Sequence, residues 1–439
     1  MLSLLILISC YAVLSSRGAR LAQALSHPIA YYWFGTGVLL CSFALVLREH
    51  SDTWYWIDHR LLRTGALARP GRLARSRAFP AVLGSLGLAV IVVALAWRWQ
   101  LIRAWQVPPA WEADMFPTFQ RGIATFFAGK NPYQHGYWFS SPDPGIAPWQ
   151  VRMVYLPGLW LPFALAKALG LGEAFVSVSS TVAVFGLFLL AAIDVLKRCG
   201  GGEWRNQESI EGRRTALFSC YALMLGGLFF LKHFSAIMHT SPLWLYLAGF
   251  CYLAVTGRTN AASAVLGVCC ASRASAVVLV PAWLLFLVRD RSERFRRRVM
   301  FLIAPVVVLA GPFLLWNARE FVFSTIFWYG ISSARAWRLR PDWVINSFGL
   351  TSVLFRAGMG RWLLPVQIAG QLAVDLLAWK RVRALEDCLR YMAWALLLFY
   401  MTVPVPYAYI YSECLLLISF AVLAELPRGL KLEPEPAAG

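Results

Sequence analysis

Long apolar stretches alternate with short polar segments from one end of this chain to the other, more of them than any water-soluble core could absorb. A membrane-spanning helix needs about 20 mostly apolar residues, with roughly 17–25 tolerated. On that measure the candidate spans are 2–16, 29–47, 80–101, 153–169, 174–196, 215–231, 242–256, 260–288, 300–316, 362–379, 390–403 and 405–424. The pattern predicts an all-α, polytopic membrane protein with about 11–13 transmembrane helices. No internal repeat is visible, which weighs against an inverted-repeat transporter. The N-terminus is apolar from residue 2 and lacks a basic leader, so it reads as an uncleaved first span rather than a signal peptide.

Composition agrees with the pattern. Of 439 residues, 59% are hydrophobic and 14% charged, against roughly 45–50% and about 25% in an ordinary soluble domain. A soluble enzyme, a disordered chain and a secreted disulfide scaffold are excluded. The nine cysteines lie mostly inside apolar stretches and form no CxxC pair, so they read as small membrane-embedded hydrophobes. The six histidines show no zinc spacing, and no metal ligand set is assigned.

The net charge of +19 falls between apolar segments rather than along one polar face, which predicts no nucleic-acid partner. Its distribution sets orientation instead, because cytoplasmic loops collect Lys and Arg. Residues 48–79 (Arg48, Arg60, Arg63, Arg69, Arg72, Arg75, Arg77), 289–298 (Arg289, Arg291, Arg294, Arg296, Arg297, Arg298) and 380–390 (Lys380, Arg381, Arg383, Arg390) are all expected inside. Counting spans outward makes 102–152 and 317–361 the two long external loops. The expected organisation is an N-terminal membrane hairpin 1–47, a basic cytoplasmic loop 48–79, a membrane module 80–316, the external loop 317–361, C-terminal membrane helices 362–425 and a flexible cytoplasmic tail 426–439. Both termini are expected on the cytoplasmic side of a plasma (inner) membrane.

One segment conflicts with this count. Residues 197–214 carry Lys197, Arg198, Arg205, Arg213 and Arg214, yet the count puts them outside. Either the charge rule fails there, or 153–169, interrupted by Pro157 and Pro162, does not fully cross. The second option also needs 260–288 to be a hairpin of short helices turning at Ser272-Arg273-Ala274. A hairpin tip would spare Arg273 the bilayer centre, where a charge costs about 2.5–3.5 kcal/mol. The hairpin is the favoured reading, and both remain open.

The first external loop holds the most informative stretch. Pro117 suits the first position of a helix that Gly129 and Asn131-Pro132 would stop. Phe116, Phe119, Ile123, Phe126 and Phe127 fall on one face, predicting an amphipathic helix in the membrane interface plane. Glu112 and Asp114 stand just before it, where the helix dipole favours a carboxylate and a proton could be taken from a hydroxyl at the membrane–water boundary. An acid in this position is ordinarily a cap, and the residues alone leave both roles open.

The order "acid, in-plane helix, Gly-x-Asn-Pro-Tyr, then Arg-x-x-Tyr-x-Pro opening a membrane helix" resembles glycosyltransferase family 87. That resemblance implies a GT-C fold and transfer of a sugar, mannose favoured, from a polyprenyl-phosphate donor to a lipid or glycan acceptor. Asp114 matches the family's presumed catalytic base, with Glu112 a secondary acid. Gly129, Asn131, Pro132 and Tyr133 match its turn motif, and Arg152, Tyr155 and Pro157 its helix-opening motif. Gly267 and Arg273 resemble its Gly-Leu-Ala…Lys hairpin, with Arg in place of Lys. Asn346 and Arg356 resemble residues of its late external loop. The chain departs from the family where a Gly-Gln-x-Asn element should fall, reading instead Lys232 to Ser241 with His233 and His239 as acceptor or donor contacts. The likeness covers roughly residues 80–425.

The late loop also carries Arg335, Arg338 and Arg340 on the side where bases are normally sparse. Phosphate recognition is one cause, since Arg pairs bidentately with phosphate oxygens; contact with anionic headgroups is another. The reaction expected from the resemblance is a single inverting displacement. Asp114 would act as base, and Arg273, Arg335, Arg338, Arg340 and Arg356 would be the candidate partners of the donor phosphate. No cofactor is required, although Glu112 and Asp114 are close enough in sequence to share a divalent metal. The rival readings are a transporter or lipid flippase, using intramembrane charges among Asp194, Lys232, Asp375 and Glu413, and a ligase for a pyrophosphate-linked oligosaccharide.

Overall fold

The computed structural model describes residues 115–139, 149–200, 239–290, 294–328, 350–351, 354, 358–403 and 412–425. Within them the chain is mostly helical. In order it forms α1 (Met115–Phe127), β1 (Tyr137–Phe139), β2 (Trp149–Val151), α2 (Pro157–Ala168), α3 (Glu173–Gly200), α4 (Ser241–Val255) and α5 (Thr259–Cys270). A 3-10 segment (Ala274–Leu279) follows, then α6 (Val280–Arg289), α7 (Phe295–Val322) with a π-helical turn (Phe323–Phe327), α8 (Leu363–Arg381), α9 (Leu385–Thr402) and α10 (Ser412–Glu425). The candidate spans at 2–16, 29–47, 80–101 and 215–231 lie outside the described residues.

Among the described residues, three helical stretches are long and apolar enough to cross a membrane: Glu173–Val195, Phe295–Phe327 and Gly360–Arg381. The last two bury little of their length. Met300, Val308 and Leu315 on α7 and Leu364, Leu376 and Trp379 on α8 face outward. A water-soluble protein rarely tolerates apolar patches of that extent, whereas a hydrocarbon surrounding needs no other surface. These helices define a membrane protein in its coarse form.

The core gathers around α4, which packs against α3, α5 and α10. Its buried side chains are almost all apolar, including Leu243, Trp244, Leu247, Phe250 and Cys251. Helix α5 lies so close to α7 that a Cβ added to Gly267 would stand 2.2 Å from the Leu302 carbonyl oxygen. Cys251, Cys269, Cys270, Cys388 and Cys414 are free and buried.

Two elements bear on the conflict around 197–214. The run 260–288 is not one helix: α5 ends at Cys270, Arg273 is extended (φ −151°, ψ 131°), and the chain turns back. The Trp283 indole donates to Ser263 Oγ at 3.0 Å, a contact between residues that one straight helix would hold about 30 Å apart. Helix α2, like α5, has 12 residues, a rise of about 18 Å against a hydrocarbon core of about 30 Å. It runs beside α1, with Phe163 against Phe116 (5.8 Å) and Phe119 (5.7 Å), and Trp160 against Phe126 (5.3 Å).

Two details go beyond the sequence reading. The fold is mostly helical, and beside the helices β1 and β2 pair antiparallel, Tyr137 opposite Val151 and Phe139 opposite Trp149. Aromatic and β-branched residues suit a short pleated ribbon, and nothing in the apolar periodicity of the spans announces one. Helix α7 runs past the expected boundary at 316, but it kinks there: Asn317 leaves helical geometry (φ −162°, ψ 91°) and its Oδ1 accepts from the Glu320 N–H at 3.2 Å. Asn317 thus ends one helix and caps the next.

Candidate functional site

The described part of segment 102–152 is built around Asn131-Pro132-Tyr133. Helix α1 stops in a Schellman arrangement, with Gly129 N–H bonded to Phe126 O and Lys130 N–H to Thr125 O. Gly129 takes φ +72°, a left-handed value that glycine reaches without a Cβ penalty. The Asn131 side chain then accepts from the Tyr133 N–H at 2.9 Å, a turn in which the side chain mimics backbone. Tyr133 is fully buried. Its hydroxyl donates to the Tyr155 carbonyl (2.8 Å) and accepts from the Trp160 indole (2.9 Å). Burial pushes its phenol well above the usual range. The turn motif is therefore a strut, with both hydrogen-bonding capacities of its tyrosine in use.

Arg152 ties this strut to the segment after the α7 kink. Its guanidinium pairs with Glu320 at 2.5 Å and lies over the rings of Phe323 (5.0 Å) and Trp328 (5.4 Å). Ser324 Oγ donates to the Tyr133 carbonyl (3.0 Å), and Phe321 meets the Tyr133 ring edge-on at 4.7 Å. The segment 320–328 is thereby docked on the one around Tyr133.

Helix α1 is amphipathic as expected, but its apolar face is covered by protein. Phe116, Phe119 and Ile123 are buried and Phe127 is exposed. Phe116 and Phe119 pack edge-on to the His239 ring at 6.1 and 5.8 Å. His239 sits in the turn before α4, 1% exposed, with Nε2 at 2.9 Å from the Tyr155 hydroxyl. Burial, and secondarily the positive charge of Arg273, push its pKa down to about 3. It is a neutral imidazole packed under α1.

The hairpin tip completes the group. Gly158 N–H donates to Ala271 O at 2.8 Å, and a Cβ on Gly158 would stand 2.6 Å from Ser272 Oγ. The tip can reach α2 only because residue 158 has no side chain. Arg273 Nη1 lies 3.2 Å from Glu413 Oε1, and its guanidinium sits over the Tyr400 ring at 5.4 Å. Tyr400 donates to the other Glu413 oxygen and lies 3.2 Å from Ser275 Oγ. Residues from α2, α4, the hairpin, α9 and α10 thus meet at one end of the bundle. Tyr155, His239 and Arg273 were expected in the site. Glu413 was singled out only as an intramembrane charge, and Tyr400, Ser275 and Glu320 were not singled out at all. A lone acid opening the apolar run 412–425 was the available signal, since buried charge demands a partner.

The other expected site residues, Glu112, Asp114, His233, Arg335, Arg338, Arg340, Asn346 and Arg356, lie outside the described residues. Among the described residues no group of three His, Cys, Asp or Glu side chains could hold a metal ion. An open apolar groove of about 590 Å³ runs along α2, lined by Phe127, Gly158, Leu161, Leu165, Tyr246 and Val268 among others. It begins at Gly158, beside the hairpin tip. Compared with models of known protein families and with curated proteins, the chain matches none.

Proposed function

We propose that the protein is a membrane glycosyltransferase of the GT-C type. It moves a hexose, mannose favoured, from a polyprenyl-phosphate donor to a lipid or glycan acceptor on the external face. The Asp114 carboxylate takes the proton of the acceptor hydroxyl, and the freed oxygen attacks the anomeric carbon from the side opposite the phosphate. The bond from that carbon to the phosphate oxygen breaks, inverting the configuration. Polyprenyl phosphate leaves, its charge met by Arg273 together with Arg335, Arg338, Arg340 or Arg356. Fixed donors of this kind act most strongly where water is scarce.

The observation that carries this reading is the convergence at one end of the bundle. Helix α1, which directly follows Asp114 in sequence, the Asn131-Pro132-Tyr133 turn, the Arg273 tip and the segment 321–328 are all in contact there or joined through shared partners. A site for an amphiphile with an anionic head requires that assembly at a membrane boundary. The test is Asp114→Asn in membranes supplied with labelled polyprenyl-phosphate mannose. Transfer should be abolished with expression and folding intact; near-normal transfer by the variant would sink the assignment.

The pair of half-buried Arg273 and buried Glu413 favours one second reading, a transporter or flippase, because charges inside a bundle mark substrate paths. On that reading Asp114→Asn leaves no transfer defect, because the membranes carry out no sugar transfer in the first place.

A further inference from the structure

Glu413 is 2% exposed, and its partner Arg273 is 18% exposed. Both carboxylate oxygens are engaged, one by Arg273 and the other by Tyr400. Such a pair is a poor staple, because removing two charges from water offsets most of their attraction. The hairpin does not depend on it for its turn either. Gly158 N–H on Ala271 O, Ser275 on Tyr400, and Trp283 on Ser263 hold the tip and its arms without Arg273. What the carboxylate does is fix a direction. It takes one Nη of a planar guanidinium from the buried side while the Tyr400 ring supports its face. The more exposed partner of the pair is thus the cation, at the tip of the hairpin.

We propose that Glu413 is a positioning residue that holds Arg273 oriented for an anionic phosphate group of a lipid-linked substrate. This rests on the donor class given under Proposed function and adds a residue that acts only through Arg273. A guanidinium pre-set by a carboxylate presents a rigid fork to phosphate oxygens, so less side-chain entropy is lost on binding.

The experiment compares full-length wild type, Glu413→Gln, Glu413→Asp, Arg273→Ala and Glu413→Gln/Arg273→Ala in detergent–lipid micelles. Two readouts are taken: transfer kinetics with polyprenyl-phosphate mannose, and the rate of phenylglyoxal modification of Arg273 by mass spectrometry. Glu413→Gln should raise the donor KM about tenfold, the scale of one charge-assisted hydrogen bond, with kcat within about twofold. Glu413→Asp should recover part of the loss. In the Arg273→Ala background Glu413→Gln should add nothing, and Arg273 should be modified faster in Glu413→Gln than in wild type. Multiplying KM effects, an unchanged KM in Glu413→Gln, or equal modification rates would each overturn the proposal. If modification rates differ as stated while wild type shows no transfer, the donor reading fails and the hold of Glu413 on Arg273 stands.

Discussion

His239 carries a titratable ring into a site where burial disfavours its charged form. Its surroundings are the rings of Phe116 and Phe119, the Tyr155 hydroxyl and, farther off, the Arg273 cation. An imidazole with a folded pKa of about 3 and an unfolded value near 6.5 binds fewer protons folded than unfolded between those limits. Its contribution to stability is therefore fully present above pH ~6.5 and lost progressively as the pH falls toward ~3. Thermal unfolding of the detergent-solubilised protein should shift to lower temperature below pH ~6.5, and His239→Gln should flatten that slope. An equally steep slope in the variant would assign the pH dependence to other groups. How this site was readable from sequence differs residue by residue. His239 stood out because it replaces an expected polar element. Its partner Tyr155 stood out for a different motif, and nothing along the chain says that residues 84 positions apart share a hydrogen bond. Glu413 and Tyr400 were hidden for the same reason: a charge pair between helices is a property of packing.

At the scale of elements, glycines decide where helices approach. Gly267 and Gly158 have no room for a methyl group, since a Cβ would press on the Leu302 carbonyl oxygen in one case and on Ser272 and the Ala271 carbonyl in the other. Backbone atoms cannot rotate away as a flexible side chain can. Gly267→Ala should cost about 1–3 kcal/mol, the usual range for overpacking, and should lower both thermal stability and yield. Gly129 is a different case, with nothing within 4 Å of its absent Cβ and a φ of +72°. Gly129→Ala should cost about 1–2 kcal/mol from left-handed strain alone, and Gly129→Asn less, because Asn tolerates that region. Parallel unfolding curves of the three variants check both statements; a Gly267→Ala protein as stable as wild type would show that α5 and α7 can separate freely. Element existence was the most legible feature of the sequence. Apolar runs located α3, α4, α7, α8 and α9 to within several residues, and Pro117 and Gly129 bracketed α1. The β1–β2 ribbon was not legible, because three-residue strands carry too little pattern. The covering of α1 was not legible either, since an amphipathic face fits a lipid surface and a protein neighbour equally well.

For the whole molecule, the lengths of the elements separate two ends. From Arg273 through the 3-10 segment and α6 to Arg289 the rise is about 27 Å, close to the thickness of a hydrocarbon core. Arg289 there bonds the Trp379 and Val382 carbonyls, and Arg390 pairs with Glu425, so the basic segments 289–298 and 380–390 share the far end. Helix α4 leads from His239 to the Gly257–Arg258 turn at that same end. Helix α3 starts at Glu173, which accepts from the Gln120 side chain of α1 at 3.3 Å, and delivers the chain toward 197–214 after a rise of about 34 Å by Val195. If the two ends lie on opposite sides of a bilayer, the basic segments 289–298 and 380–390 fall on one side together, as the positive-inside rule expects. Single cysteines at Lys130, Arg258 and Arg383, all exposed, test this arrangement. In intact cells a membrane-impermeant thiol reagent should modify the Lys130→Cys protein, while Arg258→Cys and Arg383→Cys should react only after permeabilisation. The parent chain, with its nine native cysteines, serves as the background control; Cys251, Cys269, Cys270, Cys388 and Cys414 are buried. Reaction of all three from one side would mean that the two ends are not separated by a bilayer. The proposed external site, with Arg273 and Glu413 at its floor, would then lose the membrane boundary it requires.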